Sequence, residues 1–217
     1  KQEPLAYYEG QQLFVDTAKW RRRAMPGHSD MSAKIEAMDR NDIDVTVLSP
    51  NDPGPERFGD DALMVAQMLN DFIALQVREH PGRFVGLCEL PMFHEEAARY
   101  ELERCVHELD VRGVLLYANL NGRYPDEPEY EWLFARAEEL QIPLCLHPAH
   151  PVTFDQVEGR NLVGALGLMF DTTIALARII LSGLMDRHPA LTIVCPHVGG
   201  ALPYLVGRLD HQTMVLK

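Results

Sequence analysis

The fold of this chain is decided by ten residues, Ile142-Pro-Leu-Cys-Leu-His-Pro-Ala-His-Pro151. Side chains alternate along a strand, so Cys145 and His147 share one face while the two leucines share the other. Because both faces are apolar, the stretch is typical of a parallel strand that helices cover on both sides. Pro148 cannot donate to a sheet ladder and ends the strand. His147 is therefore predicted at the carboxyl end, which is the functional edge of parallel α/β folds.

Strands and helices alternate along the rest of the sequence. Further strands are predicted at 45–48, 84–90, 113–117 and 191–195. Helices are predicted at about 61–79, 95–109, 128–140 and 162–187, the last with a break near Gly167 or Asp171. Ser29 or Asp30 would cap an earlier helix, and a final helix would start near Gly200. Five strands at regular spacing imply parallel pairing with right-handed crossovers.

The absence of a Gly-x-Gly-x-x-Gly turn after any strand distinguishes between the two parallel α/β folds. It argues against a dinucleotide-binding doubly wound sheet and favours a (β/α)₈ TIM barrel. Such barrels have eight strands and typically about 250 residues, whereas this sequence of 217 residues shows five strands. We expect a single α/β barrel domain over residues 1–217, truncated to about five central βα units and incomplete at both ends. Residues 1–30 lack a clean periodicity and are predicted to form a loop.

The composition limits the possible partners. The chain has 20 Lys plus Arg against 32 Asp plus Glu, a net charge of −12, which disfavours nucleic acid and anionic membrane. An anionic substrate would need a local basic pocket, and Arg21–Arg23 form the densest basic patch. The four cysteines show no Cys-x-x-Cys pair, and no secretory leader is seen, which predicts a cytoplasmic location. The apolar runs look too short to span a membrane.

Two histidines stand out among four His-Pro pairs and one Pro-His pair. His80 and His188 precede a proline at a helix end, where they are expected to be structural. His147 and His197 instead end two strands and are predicted at the same rim of the sheet. One such histidine would be structural as often as functional, but two at matching strand ends favour function. His150 would line the mouth of the site, while Cys145 and Cys195 are expected to fill the core.

Longer motifs carry a resemblance to a known family. The sequence combines Leu-His-Pro at 146–148, Phe-Asp-Thr-Thr-Ile-Ala-Leu-Ala-Arg at 170–178 and Pro-His-Val-Gly-Gly-Ala-Leu-Pro-Tyr-Leu-Val-Gly-Arg-Leu-Asp at 196–210. Together they resemble the second amidohydrolase family, in the branch of aminocarboxymuconate-semialdehyde decarboxylase and related enzymes. The resemblance covers roughly residues 34–210.

The resemblance implies a barrel with one divalent metal, usually zinc, with manganese as the alternative. Its ligands would be a His-x-His pair on the first strand, a histidine on the fifth and an aspartate on the eighth. His147 matches the fifth-strand ligand, and His197 matches the sixth-strand histidine that acts on a metal-bound water. None of the nine histidines forms a His-x-His pair, and no eighth-strand motif follows Lys217.

Two further positions are assigned to the substrate. Arg208 matches an arginine that, in the resembled decarboxylases, reaches into the neighbouring subunit's site to hold a carboxylate, which implies a homodimer. Asn161 stands where those enzymes often carry a tryptophan, so the platform for the substrate ring would differ. We therefore expect a non-oxidative decarboxylase of a small anionic substrate, aromatic or muconate-like. A hydrolase or hydratase of the same superfamily and an inactive barrel that acts as a binding protein are the alternatives.

Overall fold

A computed structural model describes residues 5–17 and 19–215 of the chain. These described residues divide into two compact units, one up to Leu115 and one from Leu116 onward. The first unit holds β1 (Leu5–Glu9), β2 (Gln12–Thr17), β3 (Trp20–Arg23), α1 (Met31–Arg40), β4 (Thr46–Leu48), α2 (Ala62–Glu79), β5 (Phe84–Gly86) and α3 (Glu95–His107). Strand β6 (Val114–Tyr117) begins at its end. The second unit holds α4 (Glu131–Leu140), β7 (Leu144–His147), α5 (Phe154–Val157), a π-helical turn (Val163–Gly167), α6 (Leu168–Leu181), α7 (Leu184–Arg187), β8 (Ile193–Val194) and α8 (Leu202–Val215).

The parallel pairing predicted from the sequence is confirmed in each unit. In the first unit β4 and β5 pair in parallel, and Cys88 forms a parallel bridge with Val114. A second sheet has the order β6-β7-β8, and β7 and β8 are parallel, with Leu144 opposite Ile193. The alternation of strands and helices over residues 31–215 is therefore that of a mixed α/β fold with parallel strands.

The prediction of a loop over residues 1–30 is wrong, because β1, β2 and β3 form an antiparallel sheet. Gly10, in the left-handed region at φ 61°, makes the tight turn between β1 and β2. Strand β3 is hard to recognise in the sequence because three of its four residues are arginines. Arg21 lies over the Phe14 ring at 3.9 Å and pairs with Glu9, and Arg22 pairs with the buried Asp52 at 3.0 Å. Two of the three arginines in the basic patch are thus engaged in ion pairs within the first unit, and Arg23 donates to Gln12.

The apolar spacing in the sequence of α2 predicts a stripe of Val65, Met68, Leu69, Phe72 and Leu75, but the helix buries a different face. Three of those five are exposed, and the helix instead buries a face of mostly small or polar side chains, Ala62, Ala66, Asn70, Ile73, Ala74 and Gln76. Alanines allow the helix to approach its neighbours closely. Asn70 donates to the backbone oxygen of Glu89 at 3.0 Å and to Glu101 Oε1 at 2.7 Å, which joins α2 to α3. A helix with two apolar stripes leaves the choice of face to packing rather than to periodicity.

The long helical stretch after β7 breaks at a different place from the one predicted. Gly167 lies inside continuous helix, where the π-helical turn runs into α6. Close packing favours glycine there, because a Cβ atom would come within 2.9 Å of Val157 and 3.1 Å of Pro151. The break comes at Gly183, which adopts φ 74° between α6 and α7. By length and composition Val163–Leu181 could cross a membrane, contrary to the sequence-based expectation. It carries the buried Asp171 and packs as a core helix of the second unit.

Candidate functional site

Strand β7 delivers His147 to the predicted position. Leu144 and Leu146 are buried, whereas Cys145 and His147 on the opposite face are half-buried, as side-chain alternation requires. The backbone oxygen of His147 accepts a hydrogen bond from Ala118 N at 2.8 Å. The prediction that His147 sits at the carboxyl end of a parallel strand is confirmed.

His197 begins an unusual turn just after β8. Four consecutive residues from His197 to Gly200 have positive φ values of 52°, 56°, 79° and 63°. The turn is closed by hydrogen bonds from Gly199 N to Pro196 O at 2.8 Å and from Gly200 N to His197 O at 3.0 Å. Such backbone is costly for residues other than glycine, and it tends to persist where function requires it. The turn presents the exposed His197 side chain beyond the strand end.

The two histidines meet at the ends of β7 and β8. Their ring centroids are 6.2 Å apart, with the ring planes tilted by 54°. His147 Nδ1 lies 2.8 Å from Pro148 O. Since a carbonyl only accepts, this contact assigns the proton to Nδ1 and leaves Nε2 as the nitrogen with a lone pair. At this spacing one imidazole can bind an electrophile while the other transfers a proton.

The other predicted site residues lie on separate segments. His150 is partly buried and stacks on Phe154, with ring centroids 4.3 Å apart. Asn161 is exposed and left-handed at φ 58°, and Arg208 is exposed on α8. The structure thus brings His147 and His197 into contact and places Asn161 and Arg208 on surfaces of other elements.

The expectation that both cysteines fill the core is only partly met. Cys145 is half-buried, but Cys195 is exposed. Strand β8 is only two residues long, and Cys195 lies just after it, where nothing in the described part of the chain covers its side chain fully. Partial removal of each thiol from water raises its pKa, which disfavours the reactive thiolate.

Asp171 is a site residue that sequence reasoning took only for a helix break. Its carboxylate is 2% exposed and accepts hydrogen bonds from Asn119 Nδ2 at 2.5 Å, from the Tyr124 hydroxyl at 3.2 Å and from the backbone of Val152. Burial raises the pKa of Asp171 despite these three bonds. The sequence did contain a clue to this role. A lone aspartate inside an apolar helix must find hydrogen-bond partners elsewhere in the fold.

Among the described residues, one of the predicted metal ligands is in place. His147, with Nε2 as its lone-pair nitrogen, fits a ligand to a divalent ion. Residues 5–17 and 19–215 contain no group of three or more His, Cys, Asp or Glu side chains placed to hold a metal. The described part of the chain therefore supplies a fraction of a ligand set.

A family model decides the relationship, because the amidohydrolase model matches residues 14–215. The chain belongs to the amidohydrolase family. This confirms the resemblance drawn from the Leu-His-Pro and His-Val-Gly-Gly motifs.

Two curated relatives are decarboxylases. The chain is 36% identical over 187 residues to 2-amino-3-carboxymuconate-6-semialdehyde decarboxylase from Dictyostelium discoideum, covering 84% of this chain and 51% of the relative. It is 32% identical over 196 residues to gamma-resorcylate decarboxylase from Rhizobium sp. (strain MTP-10005), covering 85% and 60%. The chain thus spans about half to three fifths of the length of these relatives.

A solved structure shows the same fold with a metal. It is a dihydroxybenzoic acid decarboxylase from Polaromonas sp. JS666 with bound manganese and the inhibitor 2-nitroresorcinol. The TM-score is 0.76 at 32% identity, over 87% of this chain and 60% of that one. Amidohydrolases with this fold therefore include metal-containing decarboxylases of aromatic acids.

Proposed function

We propose that this chain carries part of the active site of a metal-dependent, non-oxidative decarboxylase of a small aromatic or muconate-like carboxylate. One observation carries the proposal. The ring centroids of His147, at the end of β7, and of His197, in the turn after the adjacent parallel strand β8, lie 6.2 Å apart. The relatives of the chain include decarboxylases of such acids.

The two histidines would take different roles. His147 would hold the divalent ion through Nε2, with zinc as the first choice and manganese as the alternative. When bound, the metal would supply a positive centre that orients an anionic substrate.

His197 would be the acid that moves a proton. As the bond between the substrate and its carboxylate breaks, the imidazolium gives its proton to the carbon that carried the carboxylate. Carbon dioxide leaves, and the electron pair of the broken bond ends in the new C–H bond. A histidine suits this role because its ordinary pKa lies near neutrality.

Other assignments extend this proposal. We infer a (β/α)₈ barrel as a single domain, supported by the parallel strands and by the match of the family model over residues 14–215. His150, Asn161 and Arg208 would contact the substrate in a cytoplasmic homodimer, without nucleic acid or membrane as a partner.

The test is a substrate screen on the protein expressed from the complete gene. Hydroxylated benzoates and carboxymuconates would be assayed for carbon dioxide release, beside lactones, esters and enoic acids. We expect carbon dioxide release that His197→Asn lowers at least about a hundredfold, with the bound metal retained. His107→Asn is the matched control, since His107 is an exposed helix residue paired with Glu103. Turnover of lactones, esters or enoic acids without carbon dioxide would favour the hydrolase or hydratase, and no turnover would favour a binding protein.

A further inference from the structure

We propose that Asp171 and Thr173, two residues apart on α6, are positioning residues that each hold one of the two histidine-bearing loops. Thr173 would fix the His197 turn, and Asp171 would fix the loop that follows His147. The inference deepens the proposed function and rests on it for the roles of the two histidines.

Thr173 is joined to the turn after β8. Its hydroxyl accepts a hydrogen bond from Ala201 N at 2.8 Å and donates to Met169 O at 2.7 Å. The turn also presses against this point, because a Cβ atom on Gly200 would lie 2.6 Å from Thr173 Oγ1 and 2.7 Å from Met169 O. Thr173 is only 5% exposed, so water has little access to replace its hydroxyl. Four residues with positive φ end at this anchor, and His197 is the first of them.

Asp171 reaches the other histidine through a chain of contacts. It accepts from Val152 N and from Asn119 Nδ2, and the same amide nitrogen of Asn119 donates to His150 O at 3.1 Å. The segment from His150 to Val152 is thereby fixed at two points. Two residues earlier, Pro148 O accepts from His147 Nδ1. Partners that hold a ligating imidazole through its second nitrogen tune its orientation and basicity.

Thr172, between the two, shows what a purely structural threonine does on this helix. It is fully buried, and its hydroxyl donates to Leu168 O at 2.9 Å within the helix. Asp171 and Thr173 instead direct polar atoms to loops outside α6. Thr172 therefore bonds only within the helix, whereas Asp171 and Thr173 also bond to loops.

The experiment compares Thr173→Val, Thr173→Ser and Thr172→Val in the protein expressed from the complete gene. Each valine keeps the shape of threonine and removes one hydroxyl. We expect Thr173→Val to lower kcat for carbon dioxide release about tenfold with little change in KM, and to shift the His197 ring nitrogen resonances. Thr173→Ser should restore both, and Thr172→Val should change neither. Equal losses in Thr172→Val and Thr173→Val, or unshifted His197 resonances in Thr173→Val, would overturn the role of Thr173.

Metal titration tests Asp171. Asp171→Asn should raise the dissociation constant for Mn²⁺ or Zn²⁺ by about 10-fold or more, whereas Thr173→Val should change it by less than about twofold. If Asp171→Asn does not fold, Asn119→Ala, which cuts the link to His150 O, should give a similar rise. An unchanged dissociation constant in whichever of these variants folds would contradict the role of Asp171.

The two proposals fail in different ways. Absence of carbon dioxide release by the wild type would reject the decarboxylase function. The resonances of His197 and the metal titration need no turnover, so they still decide whether Thr173 and Asp171 hold the two loops.

Discussion

Gly86 of β5 and Ile73 of α2 are packed so closely that a Cβ atom on Gly86 would lie 2.7 Å from Ile73 Cγ2. Both residues are buried, so the branched side chain has little room to move. We expect Gly86→Ala to lower the free energy of unfolding by about 1–3 kcal/mol, the usual cost of overpacking. Urea denaturation followed by circular dichroism would measure it.

Gly207 provides the opposite expectation. It lies within α8, and a Cβ atom there would meet nothing within 4 Å. Gly207→Ala should therefore stabilise the protein by about 0.5–1 kcal/mol, because alanine loses less backbone entropy in a helix. If the two variants changed stability alike, close packing between Gly86 and Ile73 would be ruled out as the cause.

Glu56 makes stability depend on pH. Burial raises its pKa from 4.5 to about 7, and the nearby Asp52 contributes to the rise, against opposing effects of a backbone hydrogen bond and Arg57. The folded state therefore binds the proton more tightly than the unfolded state, and stability falls as pH rises from about 4.5 to about 7. The whole effect amounts to at most about 3 kcal/mol.

Glu56→Gln isolates that effect. Compared with wild type, the variant should become relatively more stable as pH rises from 5 to 8, because it has no carboxyl group to ionise. Thermal unfolding at several pH values would show it. A constant difference between the two proteins across this range would mean that Glu56 is ionised in the folded state at all these pH values.

Removal of the proposed ligand should release metal. In the protein expressed from the complete gene, His147→Ala should lose most of its divalent ion, since one imidazole out of about four ligands is removed. His150→Ala is the control, because it keeps the backbone oxygen that Asn119 holds. Elemental analysis with full occupancy in His147→Ala would reject His147 as a ligand.

Arg208 tests the proposed homodimer. A chain with a net charge of −12 needs a local cation to attract an anion, and a guanidinium matches a carboxylate in two-pronged geometry. His197→Ala and Arg208→Ala proteins, each nearly inactive, would be co-expressed. If Arg208 acts across the interface, each mixed dimer contains one intact site and activity should return. No recovery in verified mixed dimers would place Arg208 in its own subunit's site or outside catalysis.

The sequence predicted the elements whose chemistry is local. The Leu-His-Pro run specified a strand, its end and the histidine there, because proline and side-chain alternation act on adjacent residues. The sequence could not predict which face of α2 is buried. Met68 on one face and Ile73 on the other are both apolar, and only packing against neighbouring elements determines which face is covered. The contacts of Asp171 were hidden for the same reason. Its partners Asn119 and Val152 are distant in sequence, and only the fold brings them together.

The turn after β8 has a consequence for protein engineering. Val198 is 88% exposed, β-branched and left-handed at φ 56°, so it gains little from packing while adopting a conformation that suits asparagine or glycine. A stability screen would select substitutions at this position readily. Position 198 adjoins His197. A substitution that relieves the backbone strain of the turn would therefore also allow the His197 side chain to adopt a wider range of positions. Position 198 is therefore one where selection for heat resistance and selection for turnover should favour different amino acids.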